Sequence, residues 1–166
     1  MTDIDEFTDL PVFVEIKRHS NVKYELNKET FKLEIDRMLH YPYFYPYAYG
    51  FFLNTIAGDG DELDALIISN NQLKNDIIIK GAIVGGLMME DEGGIDEKIF
   101  VVPSHELEEF ENMRPEKKAE IYEDIAWFFS NYKNKELVKW SKVHSTMSRE
   151  DAIATYKKCR IPQNNK

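Results

Sequence analysis

Residues 58–67 read GDGDELDALI, which sets Asp59, Asp61 and Asp64 within a few positions of one another and starts an apolar run directly after them. Carboxylates that close raise one another's pKa unless a positive charge stands between them. The segment therefore asks for a cation. In an extended chain Asp59 and Asp61 point to the same side, roughly 6.6 Å apart, with Gly60 between them free to bend. Asp64 opens the run that follows. The three could converge on a hard cation, which prefers oxygen ligands, or form no more than an acidic surface turn. An EF-hand is excluded: counted from Asp59, the sixth position is Asp64 instead of glycine and the twelfth is Asn70 instead of glutamate.

The run DALIIS is one of a series. PVFVEI, VKYEL, FKLEI, GFFLNT, DIIIKGAIVGGLMM and KIFVV are also rich in Val, Ile, Phe and Tyr and are separated by turn-forming residues. Many short strands at close spacing predict a barrel or sandwich. After Pro103 the pattern becomes helical. Pro115 suits a first helical turn, and Ile121, Ile125, Phe128 and Tyr132 then recur on one helical face. A second helix is expected from Ser148, with Asp151 three residues on, to before Pro162. No repeat or linker divides the chain, so residues 1–166 are read as one domain, a β-rich α+β fold with C-terminal helices.

Composition narrows the function. A net charge of −9 disfavours general binding to nucleic acid, whose phosphates would be repelled. Cys159 is the only cysteine, so a Cys-based zinc site, a C-x-x-C redox motif and an intrachain disulfide are out of reach. The acidic start MTDIDEFTDLP has no signal-peptide character, and no apolar run reaches membrane-spanning length. A soluble cytoplasmic protein is expected.

A second acidic segment, EDEGGIDEK at residues 90–98, turns on Gly93 and Gly94 and brings Asp91, Asp96 and Lys98 into play. Two carboxylate clusters in one strand-rich domain suit several Mg²⁺ ions, which keep some of their waters and share phosphate oxygens as ligands. Phosphate also needs fixed donors, and Lys23, Arg37 and Lys98 lie beside the strands. The aromatic run YPYFYPYAYG, residues 41–50, is dense in tyrosine, and most of its rings are expected in core and turn packing. His19, His40, His105 and His144 share no metal-ligand spacing.

Taken in order, VEI at Glu15, KYE at 23–25, DR at 36–37, FYPYAYG, DGDELD, DEGGIDEK and NYK at 131–133 resemble the soluble inorganic pyrophosphatases of the single-domain, Mg²⁺-dependent type. The resemblance implies an oligonucleotide-binding-like five-stranded barrel with flanking helices, and hydrolysis of pyrophosphate to two phosphates by a metal-activated water. Asp59, Asp64, Asp91 and Asp96 would then hold Mg²⁺, with Glu15 in the outer metal–water network. Asp61 would be the general base. Lys23, Arg37, Tyr49, Lys98, Tyr132 and Lys133 would bind phosphate, and Glu25 and Tyr45 would line the site. A homo-oligomer is also implied, a hexamer or trimer before a dimer, with no nucleic acid or membrane partner.

Two departures from the family pattern stand out. Glu62 occupies the place of the usual proline, which frees φ there, and alternation in an extended chain would turn it away from the metals. Trp127 and Asn131 stand where bacterial relatives commonly carry interface histidines. The rival readings are a barrel that stacks single-stranded nucleic acid on the Tyr-rich run and a non-catalytic Ca²⁺-binding domain.

Overall fold

The computed structural model describes residues 5–162. Its strands are β1 (Leu10–Ile16), β2 (Val22–Asn27), β3 (Lys32–Met38), β4 (Ala48–Phe52), β5 (Asp64–Ile67), β6 (Ile77–Asp91), β7 (Gly94–Pro103) and β8 (Ser141–Met147). The helices are α1 (Leu107–Glu111), α2 (Pro115–Asn131) and α3 (Arg149–Cys159). Strands β1, β4, β5, β7 and β6 hydrogen-bond in that order, and β6 returns to β1, so five strands close a barrel. Closure removes the free sheet edges except along the second half of β6, beyond its pairing with β1. The expected β-rich α+β architecture with C-terminal helices is present, with β8 inserted between α2 and α3.

Strand β6 is long enough to serve two partners. Its first half, Ile77–Gly81, pairs with β1, and its second half, Gly86–Asp91, pairs with β8. That last strand was not anticipated, because SKVHSTM is mostly polar and exposed and buries only Met147. It takes its shape from the edge it covers. Strands β2 and β3 form a separate antiparallel hairpin beside the barrel.

Barrel strands bury both faces, and each face has its own helix. Ile16, Tyr49, Leu66 and Phe100 pack with Ile121, Ile125, Phe128 and Phe129 of α2. Val14, Ala65, Ile67 and Val101 pack with Ala152 and Tyr156 of α3. Burying a large apolar side chain such as Phe128 or Phe129 is worth roughly 1.5–3 kcal/mol relative to exposure, so docking of α2 is driven by its apolar stripe. Helix α3 begins as expected: the Ser148 hydroxyl accepts from the Asp151 amide at 3.1 Å, a side-chain cap for a free N–H. Close approach of β1 and β4 requires glycine at position 50, where a Cβ would lie 1.8 Å from the Phe13 carbonyl oxygen.

Candidate active site

The cavity lies where the open end of the barrel meets the β2–β3 hairpin and the end of α2, and encloses about 270 Å³. Glu15, Lys23, Glu25, Arg37, Tyr45, Tyr49, Asp59, Asp61, Asp64, Asp91, Asp96, Lys98, Tyr132 and Lys133 all line it. Every residue named for the site from the sequence thus lines one space.

Strand geometry explains several of these placements. Asp96 and Lys98 are two apart on β7, so alternation points both to the same face. Asp64 begins β5 and lies in register with Lys98 on the parallel neighbour. The Lys98 ammonium consequently sits 3.0 Å from Asp64, 2.9 Å from Asp96 and 2.6 Å from the Tyr49 hydroxyl. Burial alone would lower the Lys98 pKa, but Asp64, Tyr49 and Asp96 outweigh it and hold the pKa well above the usual lysine range. A protonated lysine is therefore built into the carboxylate wall.

Glu15 arrives by a different device. The β1–β4 register shifts between Val14 and Ile16, which leaves Glu15 as the bulged residue. A bulge re-aims a side chain, and here it turns a carboxylate into a largely buried position where Oε2 accepts from the Leu26 amide at 2.9 Å. Burial, reinforced by Asp64, pushes its pKa up to about 7 against the pull of that hydrogen bond. Asp96 is likewise raised, chiefly by burial, although Lys98 opposes the shift.

The loop between Gly58 and Leu63 is not extended. Gly60 has φ +90°, the Asp59 carboxylate accepts from the Asp61 amide at 3.0 Å, and the Ala57 amide donates to the Asp61 carbonyl at 2.7 Å. The chain closes a tight turn, so simple alternation fails to place its side chains. Glu62, expected to point away, instead lines the cavity and pairs with Lys28 at 3.1 Å.

On the hairpin, Lys23 and Arg37 are directly paired across β2 and β3. Like charges in that arrangement repel, and Asp36 relieves one of them by pairing with Lys23 at 3.1 Å. Arg37 approaches Glu136 no nearer than 3.7 Å, and its buried Nε has no hydrogen-bond partner. The Lys133 ammonium, nearly buried, pairs with Asp91 at 3.2 Å and Glu92 at 3.0 Å. Above these, the Tyr45 ring packs on Tyr49 and on Phe128, at centroid separations of 5.4 and 4.9 Å.

Sequence reading passed over Glu92, Lys28 and Lys139, which also line the cavity. Glu92 lay inside the acidic turn already noted, whereas Lys28 and Lys139 belong to charged stretches with no pattern of their own. Counted together, the wall carries nine carboxylates (Glu15, Glu25, Asp59, Asp61, Glu62, Asp64, Asp91, Glu92, Asp96) against six cations (Lys23, Lys28, Arg37, Lys98, Lys133, Lys139). Fully ionised, it is three charges negative. A site of that balance suits cations, and the all-oxygen donor set fits a hard divalent ion such as Mg²⁺. Among the described residues, no three Asp, Glu, His or Cys side chains are already gathered tightly enough to hold an ion.

Comparison with known proteins gives this arrangement a family. The inorganic pyrophosphatase family model matches residues 12–162. The inorganic pyrophosphatase of Helicobacter pylori is 38% identical over 152 residues, 90% of this chain and 88% of that one. That of Nanoarchaeum equitans is 41% identical over 144 residues, covering 84% and 88%. Among solved structures, an inorganic pyrophosphatase from Coxiella burnetii superposes with a TM-score of 0.86 at 31% identity, over 96% of this chain and 97% of that one. Sequence, barrel and cavity lead to one conclusion: the chain belongs to the inorganic pyrophosphatase family and is a hydrolase, an inorganic diphosphatase.

Proposed function

We propose that this chain hydrolyses inorganic pyrophosphate to two phosphates in a Mg²⁺-dependent reaction, carried out in the cavity between the barrel and the hairpin. The observation that carries the reading is the cavity wall itself, which sets six cationic side chains among nine carboxylates in one space. Pyrophosphate is a polyanion and cannot enter a net negative site unaided. Divalent cations would reconcile the two.

Asp59, Asp64, Asp91 and Asp96 would hold the Mg²⁺ ions, with Glu15 in the outer shell of their waters. Bound Mg²⁺ supplies acidification of a water and neutralisation of charge on the transferring phosphoryl group. Lys23 and Arg37 from the hairpin, and Lys133 and Tyr132 from the end of α2, line the same cavity. They orient the substrate and offset the charge that develops in the transition state. Arg37 is suited to this, since its buried Nε has a donor to spare. Lys98 and Tyr49 add donors from the barrel wall, and Glu25 and Tyr45 shape it.

Asp61 acts as the general base. It lies on the cavity wall but outside the ion pairs that engage Asp64, Asp91 and Asp96. A carboxylate outside those pairs can take a proton from an attacking water. Asp61→Asn should preserve Mg²⁺ binding, measured by calorimetry, while kcat falls by about 10²–10⁴-fold. Asp64→Asn should weaken Mg²⁺ binding and regain part of its activity at high Mg²⁺. The reverse pattern would exchange the two roles.

The chain is also read as a cytoplasmic homo-oligomer, a hexamer or trimer in preference to a dimer. Exposed Trp127, packed at a tilt against Tyr43 with ring centroids 6.0 Å apart, gives α2 an outward apolar face that supports association.

A further inference from the structure

The hairpin β2–β3 belongs to no barrel sheet, yet it carries Lys23, Glu25 and Arg37 into the cavity. Its attachment therefore decides where those side chains stand. Near the end of β2, two side-chain links tie it to the carboxylate wall. The Leu26 amide donates to Glu15 at 2.9 Å, and the Lys28 ammonium, just beyond the strand, pairs with Glu62 at 3.1 Å. Lys28 also lies 4.9 Å above the Phe51 ring, a cation–π contact to β4. Phe51 is in turn packed against Phe13 at 5.4 Å. One lysine thus joins the hairpin, a barrel strand and the aspartate loop.

Glu62 is the loop's side of that link. It follows Asp61 directly and precedes Asp64 by two residues, in a turn whose backbone bends at Gly60 with φ +90°. Nothing in the covalent chain restrains φ at position 62, because glutamate lacks the ring that fixes φ in proline. The Lys28–Glu62 pair supplies restraint from outside the loop.

On the reading of the site given above, we propose that Glu62 and Lys28 form a positioning pair, a latch that sets the aspartate loop and couples it to the phosphate-binding hairpin. Neither residue need touch substrate or metal. The pair acts through Asp59, Asp61 and Asp64 on one side and through Lys23, Glu25 and Arg37 on the other. It is partly exposed, with 48% and 26% of the two side chains accessible, so its strength is that of a screened surface pair.

Charge alone and a latch predict different signs. If Glu62 merely adds negative charge to the cavity, Glu62→Gln weakens Mg²⁺ binding, but Lys28→Gln removes a positive charge and should strengthen it. A latch makes both variants weaken it, by about two- to fivefold each, the range of an exposed pair. The double variant Glu62→Gln/Lys28→Gln should then cost no more than either single one, since the interaction can be lost only once. Hydrogen exchange on the metal-free protein gives a readout independent of activity. The Ala57 and Gly60 amides, which donate within the loop to the Asp61 and Ala57 carbonyls, should exchange faster in both single variants.

The experiment is Mg²⁺ calorimetry and hydrogen exchange on wild type, the two single variants and the double variant, alongside phosphate release from pyrophosphate. Weaker Mg²⁺ binding and faster loop exchange in both single variants, without additivity, support the latch. Tighter Mg²⁺ binding by Lys28→Gln, or unchanged loop exchange in either single variant, overturns it. Wild type that releases no phosphate points instead to failure of the functional reading, and the exchange data then still decide whether the pair holds the loop.

Discussion

Asp64 and Lys98 lie opposite one another on the parallel strands β5 and β7, and the register of the barrel brings their charges to 3.0 Å. The lysine is almost fully buried, and Asp96 completes its coordination at 2.9 Å. Among the described residues it is the only cation paired with Asp64 or Asp96.

Lys98→Met should therefore damage more than substrate binding. Removing one member of a buried charge pair typically costs about 3–5 kcal/mol, because the partner charge is left uncompensated. Here Asp64 and Asp96 would face each other unshielded. Urea unfolding in EDTA should show a loss of that order, and Mg²⁺ should restore part of it by replacing the missing positive charge. Equal stability of wild type and variant in EDTA would show that the pair does not hold the wall.

Arg37 and Lys133 stand on different elements and should behave alike in kinetics. Arg37→Ala and Lys133→Ala should each raise KM for pyrophosphate and lower kcat, since both are proposed to contact phosphate; Arg37→Ala should unfold close to the wild-type temperature, whereas Lys133→Ala should lose some stability because the buried Lys133 pairs two carboxylates. Lys133→Ala also frees Asp91 and Glu92 from their ion pairs. Its Mg²⁺ affinity should rise slightly as a result. Steady-state kinetics indistinguishable from wild type would remove either residue from the site.

Association should depend on the outward face of α2. Light scattering at micromolar concentration should give a trimer or hexamer, and Trp127→Lys should shift it towards smaller species, because a charge would replace an indole that is 57% exposed in the isolated chain. A wild-type monomer at that concentration would refute the proposed assembly.

Much of this was legible in the sequence because the relevant physics is local. Short runs rich in Val, Ile, Phe and Tyr marked seven strands, the spacing of Ile121, Ile125 and Phe128 marked the buried stripe of α2, and Ser148 marked the start of α3. The acidic motifs located the cavity because their carboxylates lie at strand ends and turns, where one short segment carries several ligands. Three features escaped for non-local reasons. Strand β8 is polar and becomes a strand only because β6 offers it an edge. The family resemblance pointed to Glu15, but the bulge that carries it into the site is visible only in the β1–β4 register. Glu62 was misplaced because a positive φ at Gly60 breaks the alternation on which the reading relied.

The most direct test of the account is release of phosphate from pyrophosphate by the purified protein, followed with Mg²⁺, with excess EDTA, and with Mg²⁺ restored after EDTA. Turnover should require Mg²⁺, stop in EDTA and return on adding the metal back. Added Ca²⁺ should inhibit, since its larger and looser coordination shell suits a reacting geometry poorly. Full activity in excess EDTA, or none in Mg²⁺, would contradict the claim that this carboxylate wall works through bound divalent cations.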